Sequence, residues 1–292
     1  MKTTCHSEYG ALRSVFLKRP QEAFVHSSKI DQEWENLNFL SAPNLAKASL
    51  EYQHFENFLR QTGAQLHHLP EDAATTLDSL YCRDAAIATD AGVILCNMGK
   101  PARAGEPQAI KAALAAQGIT VLGAIQSPGT LEGGDVAWID ERTLAVGRTY
   151  RTNQQGIDQL KNLLAPLGVH VRVAHMPHYR GPADVFHLMS VFSPVDRNLA
   201  VVYSPLMPID FREELLERGY ELVEVPEAEF DTMGCNVLAI APRVCLMVAG
   251  NPVTQKRLEQ AGAQVQTYEG VEISLKGGGG PTCLTRPWLR LA

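Results

Sequence analysis

Cys283 follows four consecutive glycines in the segment LKGGGGPTCLTRP, which makes it the first candidate for chemistry. A run of glycines is unusual inside a compact fold because each glycine adds backbone entropy that folding must overcome. The glycines would let the backbone pass close to a ligand and present the thiol at the rim of a cavity, beside the hydroxyls of Thr282 and Thr285. We therefore predict that Cys283 is a nucleophile, with a buried structural cysteine as the alternative.

A thiolate nucleophile needs a cationic neighbour that lowers its pKa and a proton donor for the departing group. The chain has nine histidines, and His187 differs from the others in its surroundings. The segment GPADVFHLMSVFSPVD places it at the start of an apolar strand, just after a Gly-Pro loop, where a side chain facing a cavity is expected. His187 is therefore the predicted proton carrier, although a core histidine with satisfied hydrogen bonds would have the same neighbours in sequence.

Two acidic segments could supply the opposite charge. Glu132 and Asp135 flank two glycines in LEGGDVAWID, directly before a strand, and Asp84 enters an apolar strand in YCRDAAIATD. Paired carboxylates at the mouth of a sheet suit a cationic substrate, although EGGD alone is equally typical of an exposed turn. Because an unpaired buried charge is costly, Asp84 should have a cationic partner, either Arg83 or a ligand.

The elements that would position these residues recur along the chain. An apolar strand, a polar turn, an amphipathic helix, a glycine and a second strand appear five times. Five such ββαβ-like repeats closing on themselves predict a five-fold pseudo-symmetric α/β propeller around a central channel, with residues 1–292 as a single domain. One doubly wound α/β sheet is the alternative. The glycines that should end the five helices are Gly63, Gly118, Gly168, Gly219 and Gly262.

Composition and charge narrow the class of function. The 292 residues carry a formal net charge of −6 with no Lys or Arg cluster, which argues against nucleic acid as a partner. The sequence has neither a membrane-spanning stretch nor a signal peptide, so we expect a cytoplasmic protein that acts on a small molecule. Without CxxC pairs, neither a zinc site nor a disulfide framework is indicated. The cysteines expected to be structural and reduced are Cys5, Cys82, Cys96, Cys235 and Cys245.

Taken together, these segments resemble the guanidino-group-modifying, or pentein, superfamily of arginine deiminases, amidinotransferases and dimethylarginine dimethylaminohydrolases. The resemblance spans nearly the whole chain. It is strongest to the dimethylarginine hydrolases, through LEGGDVAWIDERTLAVGRTYRTNQQG and the HLMS segment around His187. The glycine-rich lead to Cys283 and the Thr-Arg-Pro after it are more similar to the deiminases.

The resemblance implies a role for each candidate residue. Cys283 would be the nucleophile, His187 the general acid and base, and Glu132 the carboxylate that orients His187. Asp84 would pair with a substrate guanidinium, and Asp135 would support the carboxylate-lined pocket.

Two arginines and one methionine bear on the substrate. Arg103 in GKPARAGEP and Arg151 in YRTNQ match positions that hold a substrate α-carboxylate, for which a forked guanidinium is suited. Either could instead be an ordinary surface charge. Arginine deiminases usually carry an acid two residues after the histidine, where this chain has Met189, which leaves room for an alkylated nitrogen.

The reaction implied by the resemblance is hydrolysis of methylated arginine to citrulline and an alkylamine through a covalent S-alkylthiouronium, without a metal or cofactor. A deiminase, an amidinotransferase and a non-catalytic ring of the same fold are the alternatives. The first repeat carries an insertion, residues 20–45, that is apolar at Phe39 and Leu40 and is either a lid or a plain surface loop. Related folds often pair, which leaves a homodimer open.

Overall fold

The computed structural model describes residues 3–291, in which strands and helices alternate as the repeat predicts. The strands are β1 (Thr3–Thr4), β2 (Ala11–Leu17), β3 (Gln65–His68), β4 (Ala86–Thr89), β5 (Gly92–Leu95), β6 (Val121–Ala124), β7 (Val136–Asp140), β8 (Thr143–Arg148), β9 (His170–His175), β10 (Phe192–Asp196), β11 (Leu199–Val202), β12 (Glu221–Glu224), β13 (Leu238–Ala241), β14 (Val244–Val248), β15 (Gln264–Tyr268) and β16 (Thr285–Leu291). The helices are α1 (Pro20–Ala23), α2 (Ser27–Glu33), α3 (Leu45–Gln61), α4 (Glu106–Ala116), α5 (Gln154–Leu164), α6 (Ile209–Glu217), α7 (Glu227–Phe230) and α8 (Pro252–Gln260).

Five small sheets confirm the predicted ββαβ unit and exclude one continuous doubly wound sheet. Each has an antiparallel pair of strands extended by a parallel strand, in the orders β4-β5-β6, β7-β8-β9, β10-β11-β12, β13-β14-β15 and β16-β2-β3, with β1 added beside β16. The parallel strands of each unit are joined by a helix, as a parallel pair requires. These crossover helices are α4, α5, α6, α8 and α3, in the order of the sheets.

The units close into a ring because the two ends of the chain share one sheet. β16 pairs antiparallel with β2, with Thr285 opposite Leu17 and Leu291 opposite Ala11. Neighbouring units contact one another through inner strands, β16 against β4, β7 against β10, β10 against β13, and β13 against β2. An isolated β-bridge between Asn97 and Leu131 links the unit of β4, β5 and β6 to the unit of β7, β8 and β9. This is the predicted five-fold α/β propeller.

Helix packing and helix ends follow the expected patterns. In α5, Ile157, Leu160 and Leu164 are buried against the sheet of the same unit, and each such side chain contributes about 1.5–3 kcal/mol of burial free energy. The five predicted helix-ending glycines all have positive φ angles, from 67° at Gly168 to 85° at Gly262. Within residues 3–291, no helix has both the length and the apolar character needed to cross a bilayer.

Candidate active site

The candidate residues meet in a cavity of about 350 Å³ at the ring centre. Four of them lie just before the first strands of four different units, so that the ring brings together residues that are far apart in sequence. Asp84 precedes β4, Glu132 precedes β7, His187 precedes β10 and Cys283 precedes β16. The predicted residues that line the cavity are Asp84, Arg103, Arg151, His187, Met189 and Cys283. Glu132 and Asp135 lie behind the wall and are fully buried.

His187 and Glu132 form a buried charged pair. His187 Nε2 lies 2.8 Å from Glu132 Oε2, and Glu132 Oε1 accepts a hydrogen bond of 3.0 Å from the Lys100 N–H. Burial alone would lower the pKa of His187, but Asp135, Asp84 and Glu132 outweigh it and raise this pKa to about 9. Burial opposes the ionised form of Glu132 too, yet His187 and two arginines hold its pKa well below the usual range. The resting pair at neutral pH is therefore imidazolium and carboxylate.

Gly134 explains why two glycines separate the acids in EGGD. A Cβ atom at this position would lie 2.4 Å from His187 Nδ1 and 2.8 Å from Asp84 Oδ1. Both distances are shorter than any tolerated contact, so only glycine lets the imidazole and the Asp84 carboxylate pack on this backbone. The motif is thus a packing requirement of the site and not an exposed turn.

Asp84 is a buried carboxylate with one oxygen occupied and one open. Its Oδ2 accepts a hydrogen bond of 2.5 Å from Arg103 Nη1, whereas Oδ1 has no partner within residues 3–291. Asp84 thus has the cationic partner that its sequence context required. That partner is Arg103 and not Arg83, which pairs with Glu8.

The guanidinium N–H groups of Arg103 donate to protein acceptors. Its Nε and Nη2 each donate a hydrogen bond of 2.8 Å to the Glu106 carboxylate, and Nη2 also donates to the Tyr81 carbonyl at 2.9 Å. The remaining Nη1 contacts Asp84, so this arginine has little left for a ligand. Its geometry fits holding Asp84 better than the predicted binding of a substrate carboxylate.

Arg151 is less constrained. It lies on the cavity wall with long contacts only, 3.4 Å from Nη1 to Glu132 Oε2 and 3.5 Å from Nη2 to the Asp184 carbonyl. A ligand carboxylate could replace these contacts at small cost.

Asp135 supports the site from behind. Its Oδ1 accepts a hydrogen bond of 3.0 Å from the Leu188 N–H, next to His187, and its Oδ2 accepts one of 2.7 Å from the Thr149 hydroxyl. Burial raises the pKa of Asp135 to about 6. With both oxygens used by the protein, Asp135 fixes the segment that carries His187, which fits the predicted supporting role.

Cys283 differs from the other five cysteines, all of which are buried, because its side chain is partly exposed in the cavity. Burial of the thiol raises its pKa, and the Asp84 carboxylate raises it further. The resting side chain of Cys283 is therefore a neutral thiol. Activation has to come from a positive charge that arrives in the cavity.

The glycine run before Cys283 packs mainly against protein side chains. A Cβ atom on Gly279 would lie 2.4 Å from the Tyr81 ring, and one on Gly280 would lie 2.5 Å from Asn236 Cγ. The sequence suggested close approach to a ligand. Gly277, Gly278 and Gly279 do line the cavity, but the tight contacts that require glycine are with Tyr81 and Asn236.

Asn236 is a site residue that the sequence analysis missed. Its Nδ2 donates a hydrogen bond to Cys283 Sγ at 3.2 Å. Its Oδ1 accepts hydrogen bonds from the Thr282 N–H at 3.0 Å and the Thr282 hydroxyl at 2.8 Å, which fixes the amide orientation. Asn236 precedes β13 by two residues, just as Asp84 precedes β4 and Cys283 precedes β16. This shared position in the repeat was the signal that could have identified it.

The insertion forms part of the cavity wall. Leu37, Asn38 and Leu40 line the cavity, and the Leu40 N–H donates a hydrogen bond of 2.7 Å to the Lys276 carbonyl. Phe39 is 5% exposed and packs against Tyr81, whereas its neighbour Leu40 is 80% exposed. Closure of this wall as a lid stays a prediction.

A metal ion is a poor match for the cluster. Asp84, Glu132 and His187 have candidate ligand atoms within 4.8 Å of one another. However, Arg103 and Arg151 already neutralise the two carboxylates, and the imidazole nitrogen that faces them is bonded to Glu132. The site favours an organic cation, whose N–H groups can donate to the open Asp84 oxygen.

The ring of five ββαβ units, with cysteine, histidine and carboxylates before its inner strands, is the architecture of the guanidino-group-modifying superfamily. The family model described as N,N dimethylarginine dimethylhydrolase, eukaryotic, matches residues 22–290. The chain belongs to this family. It is a guanidino-modifying enzyme of the group that also contains arginine deiminases and amidinotransferases.

Individual relatives and solved structures differ in their described activities. The uncharacterized protein YkgA of Bacillus subtilis is 28% identical over 99% of this chain and 96% of its own length. An arginine deiminase of Listeria welshimeri is 29% identical over 73% of this chain and 62% of its own length. The dimethylarginine dimethylaminohydrolase of Pseudomonas aeruginosa, solved as a cysteine-to-serine mutant with citrulline, covers 95% of this chain and 100% of its own with a TM-score of 0.77 at 21% identity.

The contact between Asn236 and Cys283 predicts an effect on the thiol pKa. Asn236→Ala should raise this pKa by about one to two units, because a hydrogen bond that stabilises the thiolate is lost. Asn236→Asp should raise it further, because a carboxylate would then face the sulfur. Ultraviolet difference titration, with Cys283→Ser as the blank, measures the shift. Asn198→Asp, the same change at an exposed position, should leave the thiol pKa unchanged. A wild-type thiol pKa in both Asn236 variants would contradict the role of Asn236 in stabilising the thiolate.

Proposed function

We propose that this protein hydrolyses a guanidinium compound, N-omega-methylated arginine by preference, to citrulline and an alkylamine. The observation that carries the proposal is the open Asp84 Oδ1, a buried acceptor in the cavity that also contains Cys283 and His187. A carboxylate oxygen without a partner in such a site needs a cationic donor. A guanidinium group is planar, cationic and rich in N–H donors, and its central carbon is an electrophile for sulfur.

The binding mode follows from which protein groups are still available. The substrate guanidinium would donate to Asp84 Oδ1, while Arg103 keeps the other Asp84 oxygen in place. At the other end, the α-carboxylate would pair with Arg151, whose present contacts are long. We therefore assign Arg103 to positioning Asp84 and Arg151 to binding the substrate.

The chemistry starts from a neutral thiol and a protonated His187. The bound guanidinium lowers the thiol pKa, and the thiol proton leaves to solvent because His187, already protonated, cannot accept it. The Cys283 thiolate then adds to the guanidinium carbon. His187 protonates the departing alkylamine, the C–N bond breaks, and an S-alkylthiouronium remains on Cys283.

Hydrolysis of this intermediate uses His187 in its neutral form. The imidazole takes a proton from water, and the resulting hydroxide adds to the same carbon. The C–S bond then breaks as the hydroxyl proton leaves to solvent, which releases neutral citrulline and the thiolate, and solvent reprotonates the thiolate. Glu132 keeps the ring oriented through both steps by its 2.8 Å contact with Nε2. No redox or cofactor step is needed for the atoms and charges to balance.

Met189 supports preference for an alkylated nitrogen over the deiminase alternative. It lines the cavity two residues after His187 and is 3% exposed. A thioether can pack against methyl groups, whereas an acid there would pair with a second unsubstituted nitrogen. The arginine deiminase relative keeps the release of ammonia from arginine as the second candidate function. An amidinotransferase would need an acceptor amine in place of water.

Three further properties belong to the proposal. A cytoplasmic location suits a reactive thiol, since a reducing compartment keeps such a group reduced. A single domain over residues 1–292 and a homodimer are retained as expectations.

Product analysis tests the proposed reaction. Purified protein incubated with asymmetric dimethylarginine should release citrulline and dimethylamine, and Cys283→Ser should lose this activity by about a thousandfold or more. Cys5→Ser, at a buried cysteine outside the cavity, should retain it. Ammonia from arginine as the dominant product would assign a deiminase instead. Full activity in Cys283→Ser would refute the mechanism.

Substitution of Met189 tests the basis of substrate choice. Met189→Asp should raise the ratio of kcat/KM for arginine over dimethylarginine by roughly tenfold or more, because a charge-assisted hydrogen bond to a second nitrogen becomes available. Met189→Asn has a similar size without the charge and should change the ratio much less. Equal ratios in the two variants would mean that the charge at this position does not select the substrate.

A further inference from the structure

A second buried charged cluster is not used by the proposed reaction. Arg83, Arg286, Arg290 and Glu8 are each at most 7% exposed, and we call them the buried arginine cluster. Arg83 precedes β4, Arg286 and Arg290 lie in β16, and Glu8 lies between β1 and β2. Arg83 Nη2 donates a hydrogen bond of 2.8 Å to Glu8 Oε1, and Arg83 also lines the active-site cavity.

The cluster has more positive than negative charge. Glu8 contacts Arg83, and the charges of Arg286 and Arg290 also act on it. Although burial opposes the ionisation of Glu8, the three arginines keep its pKa below the usual value. Burial and mutual repulsion lower the pKa values of Arg286 and Arg290 to about 10, so both are still protonated at neutral pH. Three cations thus face one carboxylate, and a buried excess charge of this kind is expensive unless it is compensated.

The thiols beside Arg286 do not supply the missing charge. Burial raises the pKa of Cys82 to about 12 and that of Cys96 well above the ordinary value. Both thiols are therefore neutral at physiological pH.

Two of the arginines also have N–H groups without acceptors. Nε and Nη1 of Arg83, and Nε and Nη2 of Arg290, are buried and have no hydrogen-bond partner in the described part of the chain. Arg290 is held in place because Nη1 donates to the Gly10 carbonyl at 2.6 Å and to the Ala239 carbonyl at 2.9 Å. Water could accept from the open N–H groups, but it would leave the excess charge in place.

We propose that the buried arginine cluster binds a small inorganic anion of the halide class. A halide accepts N–H donors from any direction, carries the compensating charge and needs little space. This anion site shares Arg83 with the wall of the guanidinium pocket, but it does not depend on the proposed function. Its role would be structural, since it would link the strand that follows Cys283 to the segments before β2 and β4.

Bromide is the direct probe of the site. Crystals of the wild-type protein soaked in sodium bromide should show an anomalous peak within hydrogen-bond distance of Arg83 and Arg290. Absence of a peak at the cluster, in crystals that bind bromide elsewhere, would overturn the proposal. This measurement needs no variant and does not depend on catalytic activity.

Thermal unfolding tests the same site in solution. At constant ionic strength, replacing gluconate with chloride should raise the Tm of the wild-type protein by roughly 2–4 °C and then saturate. Arg290→Met should lose this chloride dependence, and Arg142→Met, the same change at an exposed position, should keep it. Identical Tm values in chloride and gluconate would count against the site, as would chloride dependence retained in a folded Arg290→Met protein.

Discussion

The burial of the Asp84 carboxylate, with one oxygen on Arg103 and the other open, is the constraint on which the rest of the site depends. This negative charge helps to raise the pKa values of both the Cys283 thiol and His187. At neutral pH, Cys283 is therefore a neutral thiol and His187 an imidazolium. An arriving cation satisfies Asp84 and at the same time removes the obstacle to ionising the sulfur. In the proposed mechanism, substrate binding and thiol activation are therefore one electrostatic event, which would limit reaction of the thiol with other electrophiles.

The ring supplies the geometry for this event. Because the first strand of every unit starts at the centre, residues just before these strands converge although they are far apart in sequence. Four units contribute Asp84, Glu132, His187 and Cys283, and the remaining one contributes Asn236, which donates a hydrogen bond to the Cys283 sulfur. The repeat thus serves both the fold and the site. Strands β16 and β2, from the two ends of the chain, pair to close the ring, and Cys283 lies two residues before β16.

The sequence predicted the elements whose signals are local. Helix-ending glycines and strand periodicity gave the five units, and the glycine run and the Gly-Pro loop pointed to Cys283 and His187. Partners brought together by the fold were harder to predict. Nothing near Asp84 indicates Arg103, and Glu8 pairs with Arg83, which lies 75 residues further along the chain. Asn236 was missed because an uncharged side chain in MGCNVLAIA has no unusual neighbours.

The most direct test of the role of Asp84 is the rate at which iodoacetamide alkylates Cys283 at neutral pH. If the Asp84 charge suppresses the thiolate, Asp84→Asn should be alkylated faster than wild type, roughly tenfold for each unit by which the thiol pKa falls, although it no longer turns over substrate. Peptide mass spectrometry would confirm that the label is on Cys283. Alkylation in Asp84→Asn that is equal to or slower than in wild type would contradict the proposed control of the nucleophile by this carboxylate.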